Sequence, residues 1–354
     1  MTPRYHKLRI AEVRPETAEC ISVKFDLPPE LAPEYRFVQG QHIGLRAMLN
    51  GEELRRSYSI CSGVDDGEIR VAIKKVGSGK FSRWANEALK AGDQIEVMTP
   101  EGGFFTALDS AKAKHYAAFV AGSGITPVLS LIRTTLAREP RSRFTLVYGN
   151  RRQSSVMFHE ALEDLKDRYL TRFSLYNVFS REAQDVELFN GRIDSVKVKQ
   201  FLESLVPPDT IDEAFVCGPL TMIDEVEVAL IAAGVPAQHV HVERFGIPSG
   251  LTQEIDDAEA AQSHIELIVD GVKREVDFMP GQHSILDAGR AAGIDLPFSC
   301  KGGMCSTCRA KVLDGKVKMA KNYALEPHEV AEGFVLTCQS YPMTERVVIS
   351  YDAR

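Results

Sequence analysis

Three regimes of apolar and polar alternation follow one another along the chain. At first the apolar positions come in short runs, at residues 21–27, 42–48, 57–61, 69–75 and 94–98, divided by Gly, Pro and Asp. Alternation of period two marks half-buried strands, and many short strands parted by turns predict an antiparallel β-barrel over residues 1–110. Strand-like and helix-like segments then alternate. Strands are expected at 116–121, 144–148, 173–179, 214–217 and 240–245, with helices opening at Pro127, near Val156, through Phe201 and from about Met222. Such alternation predicts an α/β doubly wound parallel sheet over residues 111–246. Residues 247–262 begin with Pro248-Ser249-Gly250 and turn acidic and alanine-rich without strong periodicity, which reads as a linker. In the last regime, residues 263–354, two strand-like runs at 265–269 and 273–278 flank the hairpin dipeptide Asp270-Gly271. A short helix is expected at 285–291, ahead of a cysteine-rich loop.

Composition narrows the function classes. With 354 residues, 44% hydrophobic and 26% charged, the chain has room for two or three ordinary globular domains. It has no run of about 20 apolar residues that would span a membrane, and Met1-Thr2-Pro3-Arg4 leads into no apolar signal region. A cytoplasmic location without membrane contact is expected. The 42 basic and 49 acidic residues give a net charge of −7 without a basic stripe, which argues against nucleic acid as a partner.

The cysteines then change the picture. Cys300, Cys305, Cys308 and Cys338 follow C-x4-C-x2-C with a distant fourth member, the thiolate spacing of a plant-type 2Fe-2S cluster. The glycine-bearing loop lets three sulfurs converge on one small object. A four-cysteine zinc site is the competitor, but structural zinc favours two matched pairs, and Cys338 has no nearby partner in sequence. Disulfides do not suit a reducing compartment. Cys20 reads as a buried small apolar residue.

Upstream, Arg55-Arg56-Ser57-Tyr58-Ser59-Ile60 lies on an expected strand that points Arg56, Tyr58 and Ile60 one way and Ser57 and Ser59 the other. Read chemically it is a flavin seat: Arg56 for pyrophosphate, the Tyr58 ring for the isoalloxazine, and the Ser59 hydroxyl for a ring nitrogen. Val71 to Lys74, then Gly79, Phe81 and Ser82, would add main-chain amides and a hydroxyl at a helix start. Ala121-Gly122-Ser123-Gly124-Ile125-Thr126-Pro127 closes one strand and opens a helix, with Thr126 as the expected N-cap and Pro127 at the first helical position. Cys217-Gly218-Pro219 ends a later strand on the same sheet edge, where open α/β sheets bind ligands. Arg151 and Arg152 stand where a ribose 2′-phosphate would be held, and no acid adjoins them, so NADPH is expected over NADH. Phe245, two residues after Glu243, could cover the flavin face that nicotinamide must enter.

In this order the segments resemble ferredoxin–NADP reductase-like flavoproteins fused to a C-terminal plant-type ferredoxin domain, over nearly the whole chain. Arg56-x-Tyr58-Ser59 is similar to the family's flavin motif, Gly122-x-Gly124-x-x-Pro127 to its nucleotide loop, and Cys217-Gly218-Pro219 with Met222 to its nicotinamide-side turn. The segments 51–56, 121–127, 300–303 and 322–327 are most similar to the branch that serves phenylacetyl-CoA epoxidases of aerobic phenylacetate degradation. The resemblance implies a flavin barrel, a nucleotide domain and a β-grasp ferredoxin domain. It also implies an oxidoreductase relay from NADPH through FAD and the 2Fe-2S cluster to a di-iron oxygenase component. Ser59 and Glu243 are then the candidates at the reactive flavin edge, and Cys217 the candidate beside nicotinamide. A reductase for another oxygenase, or a redox-sensing module, is the alternative. Residues 263–354 carry 11 Lys and Arg against 12 Asp and Glu, a net of −1, which gives little long-range steering to a basic partner. A local patch at Lys301 and Met304 is expected to dock instead.

Overall fold

The computed structural model describes residues 3–245, 262–279 and 281–353, so the expected linker lies, but for residue 262, outside the described residues. Six strands and one helix come first: β1 (Tyr5–Thr17), β2 (Cys20–Asp26), β3 (His42–Leu49), β4 (Glu52–Ser59), β5 (Ile69–Lys74), α1 (Lys80–Ala88) and β6 (Gln94–Met98). They are the strands of an antiparallel barrel. In it β2 pairs with both β1 and β5, and its first four residues, Cys20, Ile21, Ser22 and Val23, are buried. The long strand β1 has no counterpart among the expected runs. Lys7, Arg9, Glu12 and Arg14 dilute its apolar pattern, and register shifts between Ile10 and Glu12 and between Pro15 and Thr17 break its period.

Next come β7 (His115–Ala121), α2 (Ile125–Arg138), β8 (Arg143–Asn150), α3 (His159–Arg168), β9 (Phe173–Phe179), α4 (Ser195–Ser204), β10 (Glu213–Gly218), α5 (Leu220–Ala232) and β11 (Val240–Arg244). The strands form a parallel sheet in the order β11-β10-β7-β8-β9, as the alternation of elements predicts. Strand period two divides it cleanly: Tyr116, Ala118, Val120, Leu146 and Tyr148 join one core, and Ala117, Phe119 and Val147 the other. The chain reverses direction across the sheet between β7 and β10. That switch point is where such sheets open a crevice at their carboxyl ends.

The remaining elements are β12 (Ser263–Val269), β13 (Val272–Phe278), α6 (Ile285–Ala291), β14 (Arg309–Asp314), β15 (Val317–Met319), α7 (Pro327–Ala331), β16 (Phe334–Leu336), β17 (Ser340–Pro342) and β18 (Arg346–Ser350). The sheet order is β13-β12-β18-β14-β16, mixed because β12 and β18 run parallel. Asp270 and Gly271 both take positive φ, 51° and 74°, as a tight hairpin of this twist requires. Ser284 caps α6 by accepting the Asp287 amide, and Leu286, Leu296, Phe298 and Ile349 fill the core beneath it.

By internal contact the chain forms two units. Of the described residues, the first holds 7–43 and 58–245, the second 3–6, 44–57, 262–279 and 281–353. Among the described residues no helix is long and apolar enough to cross a membrane.

Candidate functional site

At the carboxyl edge of the parallel sheet the first unit opens a cavity of about 970 Å³. Its wall includes Lys74, Gly122, Arg151, Arg181, Arg192, Gly218, Pro219 and Phe245. Gly122 sits at φ +54°, and a side chain there would meet Lys74 Nζ at 3.4 Å, so an ammonium faces the loop. Tyr148 Oη holds that loop from the next strand by donating to the Gly122 carbonyl at 3.0 Å. Gly124 has a different need. A Cβ on it would lie 2.2 Å from the Cys217 carbonyl oxygen, so the two strand-end loops pack with no room between them.

Two expectations about this loop are corrected. The helix begins at Ile125, directly after a turn of 3-10 helix, with Gly124 in the N-cap position. Thr126 is therefore inside the first turn and its Oγ1 donates to the Ser123 carbonyl at 3.0 Å. Pro127 is tolerated one turn deep because the first helical amides lack intrahelical partners.

The residues expected around a flavin fall as follows. Tyr58 is half-buried, its ring 5.9 Å from that of Phe81. Ile60 and Val71 are fully buried and pair with each other as an isolated bridge. Gly79 leaves the start of α1 without a side-chain cap. The Ser82 hydroxyl, expected to face phosphate, is spent locally: it donates to the Gly79 carbonyl at 3.3 Å and accepts the Val76 amide at 3.1 Å. Arg56 is exposed on β4, its Nη1 donating to the Arg55 carbonyl at 2.7 Å. In the first unit a half-buried tyrosine and an uncapped helix start are groups that fit FAD, and so is the exposed Arg56 guanidinium in the second.

Ser59, Glu243 and Cys217, far apart in sequence, are brought together. Ser59 Oγ donates to Glu243 Oε2 at 3.3 Å, and Glu243 lies in register with Cys217 across β10 and β11. Burial, and then the Glu243 charge, push the Cys217 thiol well above its ordinary range. That thiol is sealed in the core, and the cavity wall begins one residue later at Gly218. Arg151 is on the wall, whereas Arg152 is exposed outside it.

In the second unit the cysteine loop curls through Lys301, Gly303 and Ser306, all at positive φ. Its amides face sulfur: Gly302 and Met304 donate to Cys300 Sγ at 3.3 and 3.4 Å, and Cys300 to Cys305 Sγ at 3.5 Å. Hydrogen bonding to Cys305, and then burial, push the Cys300 thiol up; hydrogen bonding to Cys338, and then burial, do so for Cys308. The four thiols thus stand as two pairs. Among the described residues no three His, Cys, Asp or Glu side chains close on a single ion, and two pairs suit two irons better than one zinc. Bound iron would supply the positive charge that lets all four sulfurs ionise. Met304, expected at a docking patch, is only 9% exposed, and Lys301 is held by Asp287 at 2.8 Å.

Three domain families match in chain order: an oxidoreductase FAD-binding domain at residues 7–105, an oxidoreductase NAD-binding domain at 119–227 and a 2Fe-2S iron-sulfur cluster binding domain at 267–343. The chain is also 45% identical to a component of the 1,2-phenylacetyl-CoA epoxidase of Escherichia coli (strain K12), over 99% of this chain and 98% of that protein. It belongs to the ferredoxin–NADP reductase-like flavoproteins with a C-terminal 2Fe-2S domain. This reductase is 33% identical to the ferredoxin reductase component of 3-ketosteroid-9-alpha-monooxygenase of Mycobacterium tuberculosis (strain ATCC 25618 / H37Rv), over 98% of this chain and 96% of that one. In fold it resembles phthalate dioxygenase reductase, with a TM-score of 0.60 and 24% identity over 98% of each chain. Electrons pass through a reductase of this kind from a nicotinamide nucleotide to FAD and on to the cluster.

Sequence reasoning missed Arg181 and Arg192 on the cavity wall and Arg55 behind the flavin motif. Arg181 and Arg192 lie in loops with no motif of their own, and Arg55 stands next to the flavin motif but turns to Glu53 and Asp295, so only proximity could have singled them out.

Proposed function

We propose that this reductase takes electrons from NADPH rather than NADH and delivers them from its cluster to the di-iron oxygenase component that epoxidises the ring of phenylacetyl-CoA. The setting is the cytoplasm, where thiols stay reduced. The likeness to the Escherichia coli epoxidase component along the entire chain is the observation that carries the choice of partner. The nucleotide preference rests on charge. Arg151, Arg181 and Arg192 line the cavity, together with Lys74 and Lys75, against the carboxylates Glu19, Asp194 and Glu225; Asp194 and Glu225 accept the amides of Lys197 and Ser195. Three guanidiniums and two ammoniums against three carboxylates leave the wall with an excess of positive charge, which suits a 2′-phosphate.

Within that reading Lys74 and the Gly122–Gly124 loop hold the pyrophosphate, and Gly218, Pro219 and Phe245 border the nicotinamide. Ser59 and Glu243 shape the hydrogen bonding at the reactive flavin edge, and Cys217 sets the close packing of the adjoining turn. When bound, FAD accepts a hydride and releases electrons singly, and the cluster relays them one at a time.

Reconstitution with candidate oxygenase components, scored as product formed per NADPH consumed, tests the reading. Coupled epoxidation of phenylacetyl-CoA is expected. If that substrate is left untouched while another oxygenase's substrate is turned over, the partner assignment is wrong.

A further inference from the structure

Arg55 stands beside Arg56 on β4 but on the opposite face, and its side chain is 4% exposed. Nε and Nη2 donate to the Glu53 carboxylate at 3.0 and 3.4 Å, Nη2 also to Asp295 Oδ1 at 3.0 Å, and Nη1 to the Leu296 carbonyl at 3.4 Å. The guanidinium carbon lies 4.2 Å from the centre of the Phe298 ring and 5.2 Å from that of Tyr5. Phe298 carries Arg290 at 4.3 Å as well, and it precedes the cluster ligand Cys300 by two residues.

A guanidinium this deeply buried is held only where its charge and its donors are met. Glu53, two residues away on the same strand, could serve as counter-ion by itself. The other hydrogen-bond partners and the nearer ring come from residues 295–298, about 240 positions along the chain, and they form the approach to the cysteine loop. Arg46 reinforces the arrangement, 3.7 Å from Asp295 and 3.9 Å from Glu53. The far end of the clamp is thus the cluster loop. Its near end is the strand that continues, three and four residues later, as Tyr58 and Ser59.

We propose that Arg55 is a positioning residue for internal electron transfer: it ties the segment 295–298, and through it Cys300, to the strand that carries the flavin-contacting residues. The proposal rests on the reading of this chain as a flavin-to-cluster carrier. Transfer between two centres depends steeply on their separation and orientation, so loosening this tie slows that step and leaves hydride transfer alone.

The full chain loaded with FAD and cluster is mixed anaerobically with NADPH, and flavin and cluster bleaching are followed separately. Arg55→Met keeps an unbranched stem and removes all four donated hydrogen bonds. Flavin reduction is expected within about two-fold of the unaltered chain, and cluster reduction slowed by about ten-fold or more. The cluster's own paramagnetic signal should be unchanged, while its magnetic interaction with the one-electron-reduced flavin broadens. Cluster reduction at the parental rate with an unaltered interaction overturns the proposal. If Arg55→Met fails to retain its cluster, Asp295→Ala decides: it loses the Asp295 acceptor of Arg55 and keeps Glu53 as counter-ion, and parental behaviour there is equally fatal. Should the unaltered chain itself pass no electron from flavin to cluster, the carrier reading has failed, and the positioning role falls with it.

Discussion

Glu243 illustrates what a single residue can and cannot announce. In sequence it is one acid near the end of a strand; in the fold it accepts the Ser59 hydroxyl and adjoins Cys217. Glu243→Gln is expected to slow anaerobic flavin reduction by about ten-fold while leaving cluster content intact, and an unchanged rate would remove it from the flavin edge. The cysteines were legible because three of the four lie within nine residues and their spacing is itself the chemistry. Cys305→Ala should abolish cluster absorbance and cytochrome c reduction yet spare ferricyanide reduction by NADPH, since that route needs only flavin. A retained cluster in that variant would refute the ligand assignment. Arg181 is the contrary case, invisible until the cavity wall is assembled. Arg181→Ala should raise the KM for NADPH several-fold, by about 1 kcal/mol of lost binding, with little effect on the KM for NADH.

Among the elements, those with a strong period were readable to within a residue or two, as β6, β9 and α6 show. Failures came where local chemistry was diverted. Pro15 and the charges of β1 hid a thirteen-residue strand, and Thr126 and Ser82 turned their hydroxyls to nearby carbonyls rather than outward. Glycine spacing marked the loop proposed to hold phosphate but not the reason for Gly124, whose backbone conformation any residue could adopt and whose constraint is the Cys217 carbonyl. Gly124→Ala is therefore expected to cost about 1–3 kcal/mol of stability and to weaken NADPH binding as the two loops separate. Thermal unfolding and nucleotide titration of the variant check this, and parental values for both would show that the packing yields freely.

At the scale of the molecule, pH dependence follows from a residue remote from the redox centres. His115 is 6% exposed, and burial, together with Arg143, lowers its pKa from the ordinary 6.5 to about 4. Arg143 Nη2 lies 3.2 Å from Nδ1, while Nε2 lies 2.8 Å from Thr145 Oγ1. As pH falls the unfolded chain takes up this proton first, so stability decreases from about pH 6.5 down to about pH 4, by roughly 2 kcal/mol. Urea midpoints measured between pH 7 and pH 4.5 should drop, and His115→Gln should flatten that part of the curve. An equally steep curve in the variant would place the dependence elsewhere, in carboxylates such as Glu213 and Asp287 whose pKa values are lowered.

The sequence by itself determined the order of the three domains and singled out the four cysteines and the glycine loop proposed as cluster ligands and nucleotide site, because each is encoded in neighbours along the chain: a period, a spacing, a turn dipeptide. Tertiary structure alone decided which arginines share one cavity, that Ser59 meets Glu243, and that Arg55 turns from its motif to hold Asp295 and Phe298. Those pairings join segments tens to hundreds of residues apart. Burial and electrostatics select them only once the sheets have closed, so no local pattern has to carry them.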